Sequence, residues 1–271
     1  MSFCKIKAHF GVEVLIEMPS GEERRIKVAR NSGFVVGDRV GLQGDRIQRL
    51  ERRNELSRQT PFGPQTLAAN LDKVIITVSS KPPTQKGFID QIIVNCRSQN
   101  MKPMLALTKI DLAETKPLYQ ELNTLYSDSI PVCYGLKELR PYLAEAERFI
   151  LVGVSGSGKS TLINQLILNP TQRIGDLSAN QKTGKHTTSH SMLFNLKEGG
   201  ELIDSPGIRD FRPLSVSIQE AAHYFPGFEK WQTQSCRFRN CTHHHEPECL
   251  VREAAKTKDY QRYLDFCLTL I

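Results

Sequence analysis

The chain has 271 residues, of which 39% are hydrophobic, and this length suits one large domain or two to three small ones with ordinary cores. The formal net charge of +7 favours an acidic partner such as nucleic acid, although a soluble protein that is merely basic has the same balance. The sequence has neither the apolar run of a signal peptide at its start nor the ~18 consecutive apolar residues of a membrane-spanning helix. We therefore expect a cytoplasmic protein with no role in a membrane.

Residues 1–66 have the pattern of several short strands. Apolar and β-branched residues are mixed with polar ones over residues 5–18 and 23–29, and turn residues separate the two stretches. A further strand is expected at residues 39–42, after the break at Gly37-Asp38. Strands at this spacing predict a small OB-like β-barrel, and an SH3-like barrel fits the pattern nearly as well.

Five arginines lie between residues 46 and 58, beside the predicted barrel. Such a cluster can follow the phosphate backbone of a nucleic acid. A solvated charged face, with Glu51 and Glu55 interleaved among the arginines, explains the same residues at least as well.

Strands and helices alternate between residues 67 and 212. Continuous apolar runs at residues 74–78 and 104–107 are typical of strands that are buried on both faces. Apolar residues at helical spacing over residues 88–98 separate these two runs. The alternation predicts an α/β domain with a mainly parallel sheet, and residues 213–271 follow it as a polar, helical third domain.

A guanine-reading motif is predicted directly after the strand at residues 104–107, where nucleotides bind in open α/β sheets. Its members are Thr108, Lys109, Ile110 and Asp111. The Asp111 carboxylate can accept hydrogen bonds from guanine N1 and N2, a donor pair that adenine lacks, and the Lys109 stem would stack on the base. Thr108 stands where GTPases usually have Asn.

A phosphate-binding loop is predicted where the strand at residues 149–152 gives way to a helix. Residues 153–160 read GVSGSGKS and match G-x-x-x-x-G-K-[ST] in full. The predicted nucleotide-binding residues here are Gly153, Val154, Ser155, Gly156, Ser157, Gly158, Lys159, Ser160 and Thr161. Backbone N–H groups of such a loop close around the β-phosphate, helped by the helix dipole. We expect Lys159 to neutralise β- and γ-phosphate oxygens and the Ser160 hydroxyl to ligate Mg²⁺.

The order of these two motifs is informative. In an ordinary GTPase the phosphate loop comes first and the base-reading motif comes near the end. Here Asp111 precedes Lys159, so one nucleotide site can form only if the fold is circularly permuted. Permutation keeps the packed sheet and moves the chain ends, which lie at the surface and are often close together.

Residues 171–189 are polar and rich in Gly and Thr, and a loop of that length inside a compact domain is usually functional. It contains Gly184-Lys185-His186-Thr187-Thr188. A Thr here can complete the Mg²⁺ coordination only while the γ-phosphate is present, but the spacing does not choose between Thr187 and Thr188. His186 can orient water or can be a solvated loop histidine.

The stretch Asp204-Ser205-Pro206-Gly207 follows a predicted strand that ends at Ile203. Asp204 is placed to hold the Mg²⁺ hydration shell, and the Gly207 N–H to contact the γ-phosphate, although a plain surface turn has the same sequence. Position 208 is Ile, where many GTPases carry a water-orienting Gln. A hydrophobe cannot polarise water, so we expect slow hydrolysis unless a partner supplies the missing geometry.

A metal site is predicted near the carboxyl end. The seven cysteines are an odd number, which fits a reduced cytoplasm better than a disulfide framework. The spacing Cys-x₄-Cys-x-His-x₅-Cys, formed by Cys236, Cys241, His243 and Cys249, suits one closed structural Zn²⁺ site. Three buried free cysteines are the alternative, and His244 or His245 could replace His243. Zinc would stabilise a small module that has too little core of its own.

Taken together, the barrel, the base motif, the phosphate loop, GKHTT, DSPGIRDF and the Cys/His spacing resemble the ribosome small-subunit-dependent GTPase family, RsgA/YjeQ, over nearly the whole chain. The resemblance implies a circularly permuted α/β P-loop GTPase core between an N-terminal OB-like barrel and a C-terminal helical zinc-binding module. The corresponding domains are 1–66, 67–212 and 213–271. A Ser-Ala-type base-contacting loop, expected near residues 132–135, has no counterpart in the sequence.

The resemblance also implies an activity. Family members are bacterial, cytoplasmic GTPases that act late in small-subunit assembly, and the subunit stimulates their hydrolysis. The implied ligands are GTP, Mg²⁺ and one structural Zn²⁺, the implied partners are the small ribosomal subunit and its rRNA, and we expect a monomer. In that family the histidine matching His186 is implicated in hydrolysis. Two other functions fit the motifs less well: a different P-loop enzyme such as an ATPase or kinase, and an RNA-binding module whose nucleotide site only stabilises the fold.

Overall fold

The computed structural model describes residues 3–143, 146–168, 191–204, 211–229, 236–254 and 258–270. An eleven-stranded sheet runs through these residues. Six strands at one end of it, which we call the nucleotide sheet because they carry the predicted nucleotide motifs, lie in the order β10-β9-β8-β11-β13-β12. They are β8 (Lys73–Val78), β9 (Lys102–Leu107), β10 (Val132–Tyr134), β11 (Arg148–Val152), β12 (Ser191–Asn195) and β13 (Glu201–Asp204). All except β12 are mutually parallel, as the apolar runs in the sequence predict.

Helices cover both faces of this sheet. They are α1 (Lys86–Ser98), α2 (Thr115–Tyr126), α3 (Gly135–Leu139), which continues into a 3₁₀ turn over Arg140–Leu143, and α4 (Lys159–Leu166). Val74, Ile76 and Val78 of β8 share one core with α1 and α2, and Ile75 shares a second core with α4. Because successive side chains of a strand point to opposite faces, a strand between two cores must be apolar throughout. Thr77 is the exception in this run.

The amino-terminal strands form an antiparallel sheet in the order β3-β2-β1-β4-β5. They are β1 (Cys4–His9), β2 (Glu13–Glu17), β3 (Glu23–Lys27), β4 (Arg39–Gln43) and β5 (Arg46–Arg49). All five contribute to one core, which includes Ile6, Val14, Ile26, Val40 and the partly buried Ile47. A shared core of this kind is what the predicted barrel requires, and the closure of the barrel stays a prediction.

A direct seam joins the amino-terminal strands to the nucleotide sheet. β1 pairs antiparallel with β12, with Ala8 opposite Met192. One ion pair crosses the seam, between Lys5 of β1 and Glu201 of β13, and the same carboxylate lies 2.8 Å from Arg148 Nη2 within the nucleotide sheet. The amino-terminal strands and the nucleotide sheet are therefore joined by pairing between strands as well as by the covalent chain.

A hairpin of β6 (Glu55–Thr60) and β7 (Gly63–Ala69) forms a separate two-stranded sheet. The boundary that the sequence places between residues 66 and 67 falls inside β7, so the division into three domains stays a prediction. The Gln59 N–H donates to the Arg212 carbonyl at 2.8 Å, which attaches the hairpin to the segment that leads into the carboxyl-terminal helices.

The carboxyl-terminal helices pack against α1. They are α5 (Ile218–Tyr224), α6 (Leu250–Ala254) and α7 (Lys258–Leu268). Helix α5 begins with a capping box, in which Ser217 and Glu220 satisfy each other's backbone N–H groups. Val94 of α1 belongs to the same core as Phe225 and Tyr263, so this module shares its core with the nucleotide domain.

A buried polar cluster also bridges the carboxyl-terminal helices and the helices of the nucleotide domain. The Tyr126 hydroxyl donates to Asp90 Oδ1 at 2.9 Å, and Arg262 Nε of α7 lies 3.7 Å from Asp90 Oδ2. Burial raises the pKa of Asp90 to about 6, although the Arg262 charge and the Tyr126 hydrogen bond both act to lower it. Desolvation therefore outweighs the pairing at this carboxyl group.

No helix in the described ranges is both long and apolar enough to cross a bilayer.

Candidate functional site

The base-reading motif and the phosphate loop lie at the same edge of the sheet. β9 ends at Leu107 and β11 at Val152, and β8 runs parallel between them. Because parallel strands have their carboxyl ends at one edge, the motif that starts at Thr108 and the loop that starts at Gly153 both lie there. Segments in reversed sequence order thus meet at one site, as the prediction of circular permutation requires.

The phosphate loop has the backbone geometry of an anion cradle. Gly153, Gly156 and Gly158 have φ angles of 148°, 78° and 87°, which side chains with a Cβ rarely adopt. A Cβ on Gly153 would lie 2.3 Å from the Thr77 hydroxyl oxygen, so only glycine fits. Helix α4 begins at Lys159 directly after the loop, and its first N–H groups face the same edge.

The Lys159 side chain is folded over the loop. Its Nζ donates to the carbonyl oxygens of Gly153 at 2.8 Å and Val154 at 2.7 Å, and the residue is buried. An ammonium group in this position can exchange carbonyl oxygens for phosphate oxygens without moving far. The contact of Lys159 with the phosphates stays a prediction of the motif.

Thr108 connects the two halves of the site. Its hydroxyl lies within hydrogen-bonding distance of the Ser157 carbonyl in the phosphate loop and 3.2 Å from the Val78 carbonyl. One hydroxyl donates one hydrogen bond, and the contact to Ser157 is the shorter. The Thr in place of the usual Asn therefore still ties the base motif to the phosphate loop.

The remaining base-motif residues are positioned from two sides. Lys109 has a φ of 52°, and its Nζ donates to the Lys81 carbonyl at 2.7 Å. The Thr115 hydroxyl donates to the Lys109 carbonyl at 2.8 Å. Asp111 is exposed, and its contact with a guanine base stays a prediction.

The sequence places a base-contacting loop near residues 132–135 without showing its residues, and this segment lies against the base motif. Strand β10 ends beside Ile110: the Tyr134 hydroxyl donates to the Ile110 carbonyl at 3.3 Å, and a Cβ on Gly135 would lie 2.9 Å from Ile110 Cδ1. This is the place expected for a Ser-Ala-type loop, although the residues differ. Its position therefore fits such a loop, since Gly135 directly follows the third parallel strand.

The predicted magnesium residues start from neighbouring elements. Asp204 ends β13, which pairs in parallel with β11, and Ser160 lies in the first turn of α4. Helix α4 begins at the phosphate loop, and β13 lies beside β11, the strand that leads into this loop. The predicted switch residues His186, Thr187 and Thr188, and the predicted Gly207 and Ile208 positions, lie outside the described residues.

The five arginines between residues 46 and 58 do not form one uniform face. Arg52 Nε lies 2.6 Å from Asp38 Oδ1, and Arg53 pairs with Asp72 at 2.6 Å. The hydrogen bond to Asp38 raises the pKa of Arg52 above its ordinary value, against the effect of burial. Arg52 is partly buried, whereas Arg46, Arg49 and Arg53 are exposed, and Arg49 donates to the Gly33 carbonyl at 2.9 Å.

The four predicted zinc ligands converge. Their ligand atoms all lie within 4.8 Å of one another. His243 Nδ1 is 3.6 Å from Cys236 Sγ and 3.4 Å from Cys249 Sγ, and the two sulfurs are 4.0 Å apart. A tetrahedral zinc ion would place sulfur and nitrogen about 3.6 Å apart and two sulfurs about 3.8 Å apart, so the donor set fits Zn²⁺.

Protonation at this cluster is set by burial. Burial lowers the pKa of His243, which leaves its imidazole neutral and able to bind a metal. Burial raises the pKa of Cys241 to about 12, so at neutral pH this thiol would release its proton to solvent when a cation such as Zn²⁺ binds its sulfur.

The loop that carries His243 is fixed by Glu246. The Glu246 carboxylate accepts hydrogen bonds from the Thr242 N–H and hydroxyl, both at 2.7 Å, and from the His244 N–H at 3.1 Å. Burial alone would raise the pKa of Glu246, but these hydrogen bonds lower it to about 2. His243 can therefore keep its strained φ of 59°.

We expect one zinc ion per chain, and we expect its removal by a chelator to unfold the carboxyl-terminal module. Helix α7 contacts the ligand loop through Tyr260, whose hydroxyl donates to the His243 carbonyl at 2.8 Å. Structural zinc contributes about 10–16 kcal/mol to small modules of this kind. Metal analysis and limited proteolysis with and without chelator measure both effects. Cys236→Ser should act like the chelator, and His245→Ala should not, whereas loss of zinc in His245→Ala would contradict the assigned ligand set.

The comparisons with known proteins agree with this geometry. The model of a family described as RsgA GTPase matches residues 49–213. A protein from Neisseria gonorrhoeae (strain NCCP11945), named small ribosomal subunit biogenesis GTPase RsgA, is 32% identical over 265 residues, covering 93% of this chain and 86% of its own length. A protein of the same name from Actinobacillus succinogenes is 32% identical over 273 residues, covering 93% of this chain and 78% of its own.

Solved structures show the same fold. The crystal structure of YjeQ from Thermotoga maritima aligns with a TM-score of 0.75 and 26% identity, covering 99% of this chain and 98% of that one. YloQ, described as a circularly permuted GTPase, aligns with a TM-score of 0.67 over 99% of this chain and 94% of that one. At 21% identity, the second match supports the fold alone.

Proposed function

This chain belongs to the RsgA GTPase family, and from that premise we propose that it hydrolyses GTP as a factor in the biogenesis of the small ribosomal subunit. The relatives named small ribosomal subunit biogenesis GTPase cover most of this chain, which supports the assignment. The geometric observation that carries it is the hydrogen bond from Thr108 to the Ser157 carbonyl. This contact supports one nucleotide site that is built from both motifs.

In the proposed mechanism the base and the phosphates are read by different segments. Asp111 accepts from the guanine N1 and N2 groups, and Lys109 stacks on the base. The N–H groups of the phosphate loop and the Lys159 ammonium hold the β- and γ-phosphates. Ser160 and Asp204 would hold Mg²⁺, which neutralises charge on the phosphate oxygens when bound.

Hydrolysis by the free protein is proposed to be slow. Residue 208 is Ile, and an apolar side chain cannot orient the attacking water. Docking on the small subunit, through its rRNA, would complete the arrangement around the water, with His186 and either Thr187 or Thr188 contributing. The exposed Arg46 and Arg49 and the net charge of +7 favour such an anionic partner. We propose that the factor acts in the cytoplasm as a monomer.

The test is the rate of GTP turnover with and without purified small subunits. We expect the small subunit to raise the turnover rate at least about tenfold, since a catalytic group supplied by a partner accelerates other GTPases by more than this factor. Large subunits at the same concentration are the control. Equal rates with both subunits would count against stimulation by the small subunit. Absence of turnover under all conditions would count against the GTPase itself.

A second experiment separates catalysis from simple RNA binding. If the nucleotide site only stabilised an RNA-binding module, Lys159→Ala would abolish nucleotide binding and leave the affinity for small subunits and the release from them unchanged. Under the proposed function, release should become independent of GTP. Sedimentation of the unmodified protein and of the variant with small subunits, in GTP and in GDP, distinguishes the two outcomes, because only under the proposed function does the unmodified protein respond to the nucleotide.

A further inference from the structure

Thr77 is a buried hydroxyl residue near the carboxyl end of strand β8, among apolar neighbours. Burying a hydroxyl is unfavourable unless it has hydrogen-bond partners. Thr77 has two partners, and both belong to the phosphate-loop region. Its Oγ1 lies 3.0 Å from the Val152 carbonyl oxygen and 2.8 Å from Ser157 Oγ.

The direction of these hydrogen bonds follows from the partners. The Val152 carbonyl can only accept, so the Thr77 hydroxyl donates to it. The Ser157 hydroxyl must then donate to Thr77 Oγ1. Since Val152 precedes the loop and Ser157 lies near its end, this relay ties both ends of the loop to β8.

The loop also packs closely against this hydroxyl. A Cβ on Gly153 would meet Thr77 Oγ1 at 2.3 Å and Ser157 Oγ at 3.2 Å. On the other side, Thr108 is hydrogen-bonded to the Ser157 carbonyl. Ser157 is therefore fixed through its side chain by β8 and through its backbone by the end of β9.

We propose that Thr77 is a positioning residue for nucleotide binding, which acts through Ser157 to hold the phosphate loop in its binding shape. This inference rests on the proposed function, because it assumes that the loop binds the phosphates of a guanine nucleotide. A preformed loop binds more tightly, since its backbone N–H groups do not have to be ordered when the phosphates arrive. Thr77 itself touches no phosphate in this role.

The first test is Thr77→Val, measured as the dissociation constant of a fluorescent GDP analogue. A methyl group cannot lie 2.8–3.0 Å from two oxygens, because carbon–oxygen contacts need about 3.3 Å or more, so the loop must shift. We expect Kd to rise at least about tenfold, and KM for GTP to rise with little change in kcat, as for a lost ground-state contribution. Thr77→Ser keeps the hydroxyl and should restore Kd to within about threefold of the unmodified protein.

The matched control is Ile75→Val, which removes one buried methylene from the same face of the same strand. It should lower stability without changing Kd. If Ile75→Val raises Kd as much as Thr77→Val does, the effect is general destabilisation and the proposal is wrong. If Thr77→Val stays within about twofold of the unmodified protein, the proposal is also wrong.

A double-mutant cycle with Ser157→Ala tests whether the two hydroxyls act together. Both substitutions break the same relay, so the double variant should bind about as weakly as the weaker single variant. Effects that multiply would contradict the proposal. If the unmodified protein binds no guanine nucleotide, then the proposed function fails, and this result differs from one in which it binds and Thr77→Val binds equally well.

Discussion

Replacing Lys159 with alanine is expected to lower kcat/KM for GTP hydrolysis by at least about 1000-fold, because a pre-positioned charge on the transferred phosphate is lost. The Lys159 Nζ lies within 2.8 Å of two carbonyl oxygens of the loop that would surround the phosphates. Removing it takes away this positive charge and leaves both carbonyls without that donor. Release of inorganic phosphate measures the effect.

A suitable control for Lys159→Ala is Lys197→Ala, which makes the same change of charge near the other end of α4. The Lys197 Nζ donates to the Gln165 carbonyl at 3.0 Å and is exposed. This variant should keep the rate of the unmodified protein. A Lys159→Ala protein that hydrolyses GTP within tenfold of normal would refute the assignment of the loop as the phosphate site.

Changing Asp111 to asparagine should reverse the base preference. An asparagine amide presents an N–H donor to the guanine N1 and N2 donors, whereas xanthine offers an acceptor at the same position. Sites that read a base by hydrogen bonds can discriminate by 10⁴–10⁵-fold, so we expect GTP affinity to fall at least about 100-fold. Affinity for xanthosine triphosphate should rise, and competition binding measures the affinity of the variant for each of the two nucleotides.

Asp128→Asn is the matched control, since Asp128 is also an exposed carboxylate and follows α2 on the chain. Its nucleotide preference should not change. If Asp111→Asn also binds both nucleotides like the unmodified protein, then Asp111 does not face the base and the geometric basis of the proposed function is lost.

The parts of the site with a local signature could be predicted from sequence. The phosphate loop needs glycines at fixed positions, and Gly153, Gly156 and Gly158 have the required positive φ angles. The zinc ligands lie within a short stretch of chain, so their spacing alone limits their geometry, and their ligand atoms do converge. In both cases the physical constraint acts between residues that are close in sequence.

The contacts that hold the site together could not be predicted in this way. Thr77 and Ser157 are 80 residues apart, and Thr108 and Ser157 are 49 apart. Such pairs depend on which strands become neighbours, and hydrophobic patterning does not specify strand order. Patterning treats Thr77 as one polar residue in an apolar run, whereas the folded sheet gives its hydroxyl two partners.

Charge patterns were the least informative signal. A run of arginines predicts a nucleic-acid surface and a solvated face equally well, and Arg52 shows a third outcome. Its guanidinium is bonded to Asp38, which is fully buried, so its main contribution is to the fold. Sequence alone does not show which charges are neutralised by distant partners.

The seam between β1 and β12 also protects the molecule. An unpaired strand edge displays N–H and C=O groups that another chain can pair with, and such pairing leads to aggregation. The start of β12 would be such an edge if β1 did not pair with it, with Ala8 opposite Met192 and His9 opposite Ser191. A shortened chain without its first strands would thus keep every nucleotide-site residue and still tend to aggregate. During synthesis β1 emerges long before β12, so β1 is already available to pair with β12 when β12 appears.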